Sequence, residues 1–166
     1  MTRLDDFDYE IRPFLGVGMI RFGQPRDDVV RLLGTPSRTF RKVPFATSDT
    51  DAFDAAGLHV YYDRGYLVES IDAVAPSAIS FDGISFLGRA VEDVVRAMAE
   101  RGYKDDSLTF NEVGISLYDE GGIVKCVTAF PRGYFDLSNP DSPVSRAKAA
   151  AAAWRRQSSE FKRLSH

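Results

Sequence analysis

Few groups in this chain can change protonation near neutral pH: two histidines, His59 and His166, and one cysteine, Cys126. Acid-base, nucleophilic and metal chemistry need such groups at set spacings. The sequence has no Cys-x-x-Cys, no His-Glu-x-x-His and no Gly-x-Ser-x-Gly, so the common zinc, metalloprotease and serine-hydrolase signatures are missing. His59 falls inside an expected strand, where a hydrogen-bonded or outward-facing role suits it, and His166 is the last residue. Cys126 lies in the apolar run Ile123 to Phe130 and reads as a half-buried structural thiol. Gly16-Val17-Gly18 has the look of a dinucleotide loop, but Arg21 stands where the third glycine belongs and no strong strand precedes it. Asp49, Asp51 and Asp54 suggest calcium, yet the sixth and twelfth loop positions are Asp54 and Val60 instead of Gly and Glu. A solvated acidic loop is the expectation, with no metal and no cofactor. Carboxylate pairs assemble only in three dimensions, so that one route to catalysis stays open; a non-catalytic role is favoured.

The scaffold expected around these residues is an internal repeat. Gly18-Met19-Ile20-Arg21-Phe22-Gly23 through Asp28-Val29-Val30-Arg31 aligns without a gap on Gly83-Ile84-Ser85-Phe86-Leu87-Gly88 through Asp93-Val94-Val95-Arg96. Gly57-Leu58-His59-Val60-Tyr61 pairs with Gly114-Ile115-Ser116-Leu117-Tyr118, and Gly65 with Gly122. In copy one the apolar spacing predicts a helix over 25–33, stopped by Gly34-Thr35-Pro36, then strands over 39–43, 57–62 and 66–74. Gly65 is expected to supply the positive φ of the last hairpin. In copy two the same order predicts a helix over 91–101 and strands over 108–110, 113–118 and 123–130. Copy one is longer, and the insertion is placed at the turn-forming stretch 47–54. Hairpin-length connections imply antiparallel pairing, so the expected fold is α+β: one antiparallel sheet of about six strands with the helices packed on it. Copy one covers about 16–80 and copy two about 81–135, within a body of residues 1–141; residues 142–166 form a helical extension.

At 166 residues, 44% hydrophobic and 27% charged, the chain has the size and composition of one globular domain. No apolar run marks a signal peptide near the N-terminus or a membrane span further on, so the expected compartment is the cytoplasm. The net charge of −3 is uneven: from Ser142 onward six cations face Glu160 alone, a local +5 that leaves −8 on residues 1–141. An acidic body repels nucleic acid and suits a basic protein partner. In the extension, Asp141 or Ser142 offers an N-cap and Pro143 a first helical residue. Val144, Ala147, Ala151, Trp154, Ser158 and Phe161 form one stripe. That stripe can pack on its own domain or pair with a second chain.

A sheet covered on one side leaves another face, and Tyr61, Tyr66 and Tyr118 are candidates for it, with Tyr62 on the opposite parity to Tyr61. Phe53, flanked by Asp51 and Asp54, must either pack inward or meet a partner. Phe22-Gly23 before a helix that ends at Leu33-Gly34-Thr35-Pro36, and the two Gly-x-x-x-Tyr strands, give the chain a pattern that resembles the β-lactamase-inhibitor-protein-like (BLIP-like) fold. More loosely it is similar to the single-unit lipoproteins of outer-membrane assembly. The tandem arrangement also resembles that of cytoplasmic immunity proteins that neutralise bacterial toxins. The resemblance implies a non-catalytic protein-binding module of the immunity or inhibitor kind, and the residue pattern places its contacts on the sheet face and the 47–54 loop: Asp49, Asp51, Phe53, Asp54, Tyr61, Tyr66 and Tyr118. The alternative is a small-ligand binder or enzyme with a cleft between the copies, using Asp63 and Tyr62; a pocket of on the order of several hundred Å³ would favour it.

Overall fold

The computed structural model describes residues 4–46 and 48–164; Thr47, the first residue of the expected loop, and His166 lie outside them. Strands β1 (Ile11–Arg12), β2 (Gly16–Val17) and β3 (Ile20–Arg21) form a small antiparallel sheet ahead of helix α1 (Arg26–Leu33). The chain continues through β4 (Arg38–Phe40), β5 (Thr50–Phe53), β6 (Leu58–Tyr62) and β7 (Val68–Val74). A short β8 (Ser80–Phe81) and β9 (Ile84–Ser85) hairpin precedes α2 (Val91–Glu100). Strands β10 (Thr109–Phe110), β11 (Ile115–Glu120) and β12 (Ile123–Ala129) lead to the long helix α3 (Pro143–Leu164). No helix among the described residues is long and apolar enough to cross a membrane.

The main sheet is antiparallel throughout, in the order β10-β11-β12-β7-β6-β5-β4. It has seven strands where six are expected, because the segment read as an acidic insertion contains β5. Thr50-Asp51-Ala52 has little apolar character and resembles a turn. The strand is stable because every residue of it is buried and Asp51 finds partners far along the chain. Strands β4–β7 join strands β10–β12 through the pairing of β7 with β12, which runs from Cys126 opposite Val74, through Thr128 opposite Asp72, to Ala129 opposite Ile71.

Both helices enter the sheet through matching junctions. The Gly23 amide donates to Val68 O at 2.8 Å and the Gly88 amide to Val124 O at 2.9 Å; Val68 and Val124 return bonds to Gln24 O and Arg89 O. Gly57 and Gly114 sit at φ 64° and 68°, and a Cβ there would lie 2.2 Å from Val74 O and 2.4 Å from Phe130 O. Only glycine tolerates both the dihedral and the approach. The β6–β7 turn differs from expectation: Tyr66, at φ 57°, takes the left-handed conformation instead of Gly65. The Asp63 carboxylate holds this turn by accepting from the Gly65 amide at 2.8 Å and the Leu67 amide at 3.0 Å.

Strand alternation sorts the side chains onto two faces. Leu58, Val60, Ile71, Ala73, Ile115, Leu117, Val127 and Ala129 face inward. They share one core with Val29 and Leu33 of α1 and with Val94 and Met98 of α2. Phe53 belongs to this core, 4% exposed. The register puts Thr50, Tyr61 and Ser70 side by side on the outer face, with His59, Asp72, Thr128 and Ser116 in the adjoining row. This outer face has a polar centre.

Candidate functional site

The outer face is roofed by α3. Ser142 caps that helix by accepting from the Ser145 amide at 3.2 Å, and Pro143 begins it. Contacts along residues 144–154 fasten it: the Val144 amide donates to Tyr134 O at 3.2 Å, Arg146 pairs with Glu69 at 3.0 Å, and the Trp154 ring lies beside Phe45, centroids 5.8 Å apart. Phe45 comes from the β4–β5 connection, which closes a second side. Between roof and sheet lies a cavity of about 400 Å³. Its floor is polar, with Thr50, Tyr61, Ser70, Asp72, Ser116 and Thr128; its upper walls are Val43, Phe45, Phe135, Val144 and Ala150. That combination of apolar walls and a few fixed polar groups is what small-molecule sites share.

Asp72 is the centre of the floor. The Tyr61 hydroxyl donates to one carboxylate oxygen at 2.9 Å and the Thr128 hydroxyl to the other at 2.6 Å. A carboxylate offers about four acceptor positions, so these two donors leave room for more. The Lys42 ammonium stands 3.9 Å from Asp72, beyond hydrogen-bonding distance, and 4.8 Å from the centroid of the Tyr61 ring. Lys42 is 63% exposed and the Asp72 side chain 12%. Burial, followed by the neighbouring Asp72 charge, pushes the Tyr61 phenol far above its ordinary range, so Tyr61 remains a proton donor at every physiological pH. The same two causes push the Cys126 thiol up to about 12, which makes it a poor nucleophile. Burial holds His59 below its ordinary value; its ring packs edge-on to Phe40 at 5.7 Å.

The opposite face carries a second enclosed carboxylate with a different environment. Asp51, fully buried, accepts from Arg26 Nε at 2.7 Å and Nη2 at 2.8 Å, from Thr39 Oγ1 at 2.8 Å and from the Tyr62 hydroxyl at 3.1 Å. Four donors fill its acceptor positions. Asp51 therefore fixes the start of α1 to β4, β5 and β6 and has nothing left to offer a ligand.

Of the candidate residues read from the sequence, Tyr61 and, at the margin, Tyr62 line the cavity. Asp51 and Phe53 are interior, which corrects their assignment to an exposed contact loop: a buried ring and a saturated carboxylate present no surface. Asp49 and Asp54 lie at the edge, paired with Arg41 at 3.3 Å and Arg38 at 3.2 Å. Tyr66 is exposed in its turn, 5.8 Å from the Arg26 guanidinium, and Tyr118, 62% exposed, stands on the outer face opposite Cys126. Tyr62 serves Asp51, and Asp63 serves its turn. Asp72, Thr128, Ser70 and Lys42 were not nominated. The available signal was a carboxylate in the interior of a long strand, where burial without partners is prohibitive.

Among the described residues no group of three or more His, Cys, Asp and Glu side chains is placed to hold a metal ion. No family model, curated protein or solved structure matches this chain.

Proposed function

We propose that this chain binds a small molecule in the cavity between the outer sheet face and α3. The observation that carries the reading is Asp72: an enclosed carboxylate with only two hydroxyl donors, set in the floor of a hollow with apolar upper walls. A purely structural carboxylate at this depth is expected to be saturated, as Asp51 is. The helix-and-meander units implied by the repeated sequence supply the floor jointly, with Tyr61, Ser70 and Asp72 from the first and Ser116 and Thr128 from the second. The matching junctions at Gly23 and Gly88, and at Gly57 and Gly114, support reading those units as diverged copies of one. The ligand reading stands ahead of the protein-binding one because Asp51 and Phe53, central to the latter, are interior.

The test is titration with the neutral fluorophore N-phenyl-1-naphthylamine. Saturable enhancement is expected in the wild-type protein, with loss in Ala150→Phe, which fills the cavity from the roof. Equal binding by both proteins would place the probe elsewhere and contradict the proposal.

A further inference from the structure

The charges around the cavity differ in depth and freedom. Glu69 and Asp72 have side chains 17% and 12% exposed. Arg146 is committed to Glu69 and to the carbonyl of Asp141, at 3.0 Å and 2.9 Å. Arg64 is exposed at the rim, and Lys42 reaches in from solvent on its flexible stem. The fixed, enclosed charge that an entering molecule meets in the floor is therefore a carboxylate. An anionic head group would have to approach it against repulsion in a medium that screens poorly.

Lys42 shows what that floor attracts. Its ammonium is drawn toward two groups at once, the Asp72 carboxylate and the face of the Tyr61 ring. A carboxylate beside an aromatic face is a recognition pair for an organic cation. Yet at 3.9 Å the lysine stops short of a hydrogen bond, and because its own ammonium stays largely in water the contact contributes little. The acceptor positions that Tyr61 and Thr128 leave on Asp72 remain for a donor-bearing cation that can come closer.

Building on the cavity reading, we propose that the ligand is a small organic amine. Its ammonium takes the place of the Lys42 ammonium on Asp72 and Tyr61, and its apolar body lies along Val43, Phe45, Phe135, Val144 and Ala150. Lys42 then acts as a tethered competitor that keeps the carboxylate partly compensated in the empty protein and swings into solvent when the amine enters.

The experiment uses three probes of one chain length, n-heptylammonium, n-heptanol and n-heptanoate, titrated calorimetrically into the full chain. The amine should bind at least about tenfold tighter than the alcohol, and heptanoate weakest, since a desolvated charge-assisted bond distinguishes the first and repulsion penalises the last. Lys42→Ala should strengthen amine binding severalfold and widen the preference for the amine over the alcohol. Asp72→Asn should reduce the amine to the level of the alcohol, with its fold checked by circular dichroism. Lys42→Ala is at the surface and supplies a readout even if the Asp72 variant is poorly folded. Binding of all three probes without preference for the amine, or a preference for heptanoate, overturns the amine assignment while sparing the cavity. Failure of all three to bind overturns both.

Discussion

Asp51 and Asp72 lie in the same sheet, on opposite faces, each served by one of two adjacent tyrosines. Tyr62 turns inward to Asp51 and Tyr61 outward to Asp72. Asp51 has four donors, including both arms of a guanidinium, and packs against the core; Asp72 has two hydroxyls and opens onto a hollow. The difference separates a carboxylate used to hold the fold from one held ready for something else. Burial alone does not make that distinction, since both are enclosed. The count of occupied acceptor positions does.

The largest expected effect that could break this comparison is on stability. Asp51→Ala should cost about 3 kcal/mol or more in urea unfolding, because it strands the Tyr62 and Thr39 hydroxyls and the Arg26 guanidinium. Asp72→Ala should cost about 1 kcal/mol less than that or better, since it frees only two hydroxyls at the edge of a cavity that water can enter. Equal losses would mean that Asp72 is structural too. Phe53→Ala belongs to the same scale, with an expected loss of about 3 kcal/mol or more for a core ring; a loss near zero would return that residue to a surface loop.

Smaller effects sharpen the picture of the roof. Removing the Arg146 guanidinium by Arg146→Ala should lower global stability by less than about 1 kcal/mol while loosening the helix over the cavity. Amide exchange should accelerate along 143–154 and stay unchanged in β6, β7 and β12, as mass spectrometry can follow. Acceleration in the sheet as well would show that the roof and core unfold together.

The smallest effect concerns His59, next to Asp72 in the sheet. Its folded-state value is lowered, mainly by burial, so the unfolded chain binds more protons than the native one between that lowered value and the ordinary value of about 6.5. Stability should therefore rise with pH through that window and fall on acidification below about 6.5. In His59→Gln this part of the slope should vanish from melts taken at stepped pH; an unaltered slope would assign it to other groups.

Much of this was legible in the sequence, and the illegible part has one cause. The two short helices, the Gly34 stop of the first and most strands follow from apolar periodicity and turn residues that act over a few positions. β5 escaped because Asp51 looks like loop chemistry until Arg26, 25 residues earlier, is known to reach it. Asp72 escaped for the same reason: Thr128 joins it from 56 residues away. Tyr61 was found because parity on a strand is local information. The C-terminal helix was readable as a stripe, but its position over the outer face depends on Glu69, Phe45 and Tyr134, none of which marks itself in sequence as a partner.

Mapping amide chemical shifts during titration with n-heptylammonium shows whether the outer-face cavity is where this chain meets its ligand. Saturable changes are expected, confined to 42–46, 61, 70–72, 116, 128, 134–135 and 144–150, in support of the cavity as the binding site. Changes centred on the open cleft formed by Pro25, Arg26 and Tyr66, or none at saturating probe, would contradict it.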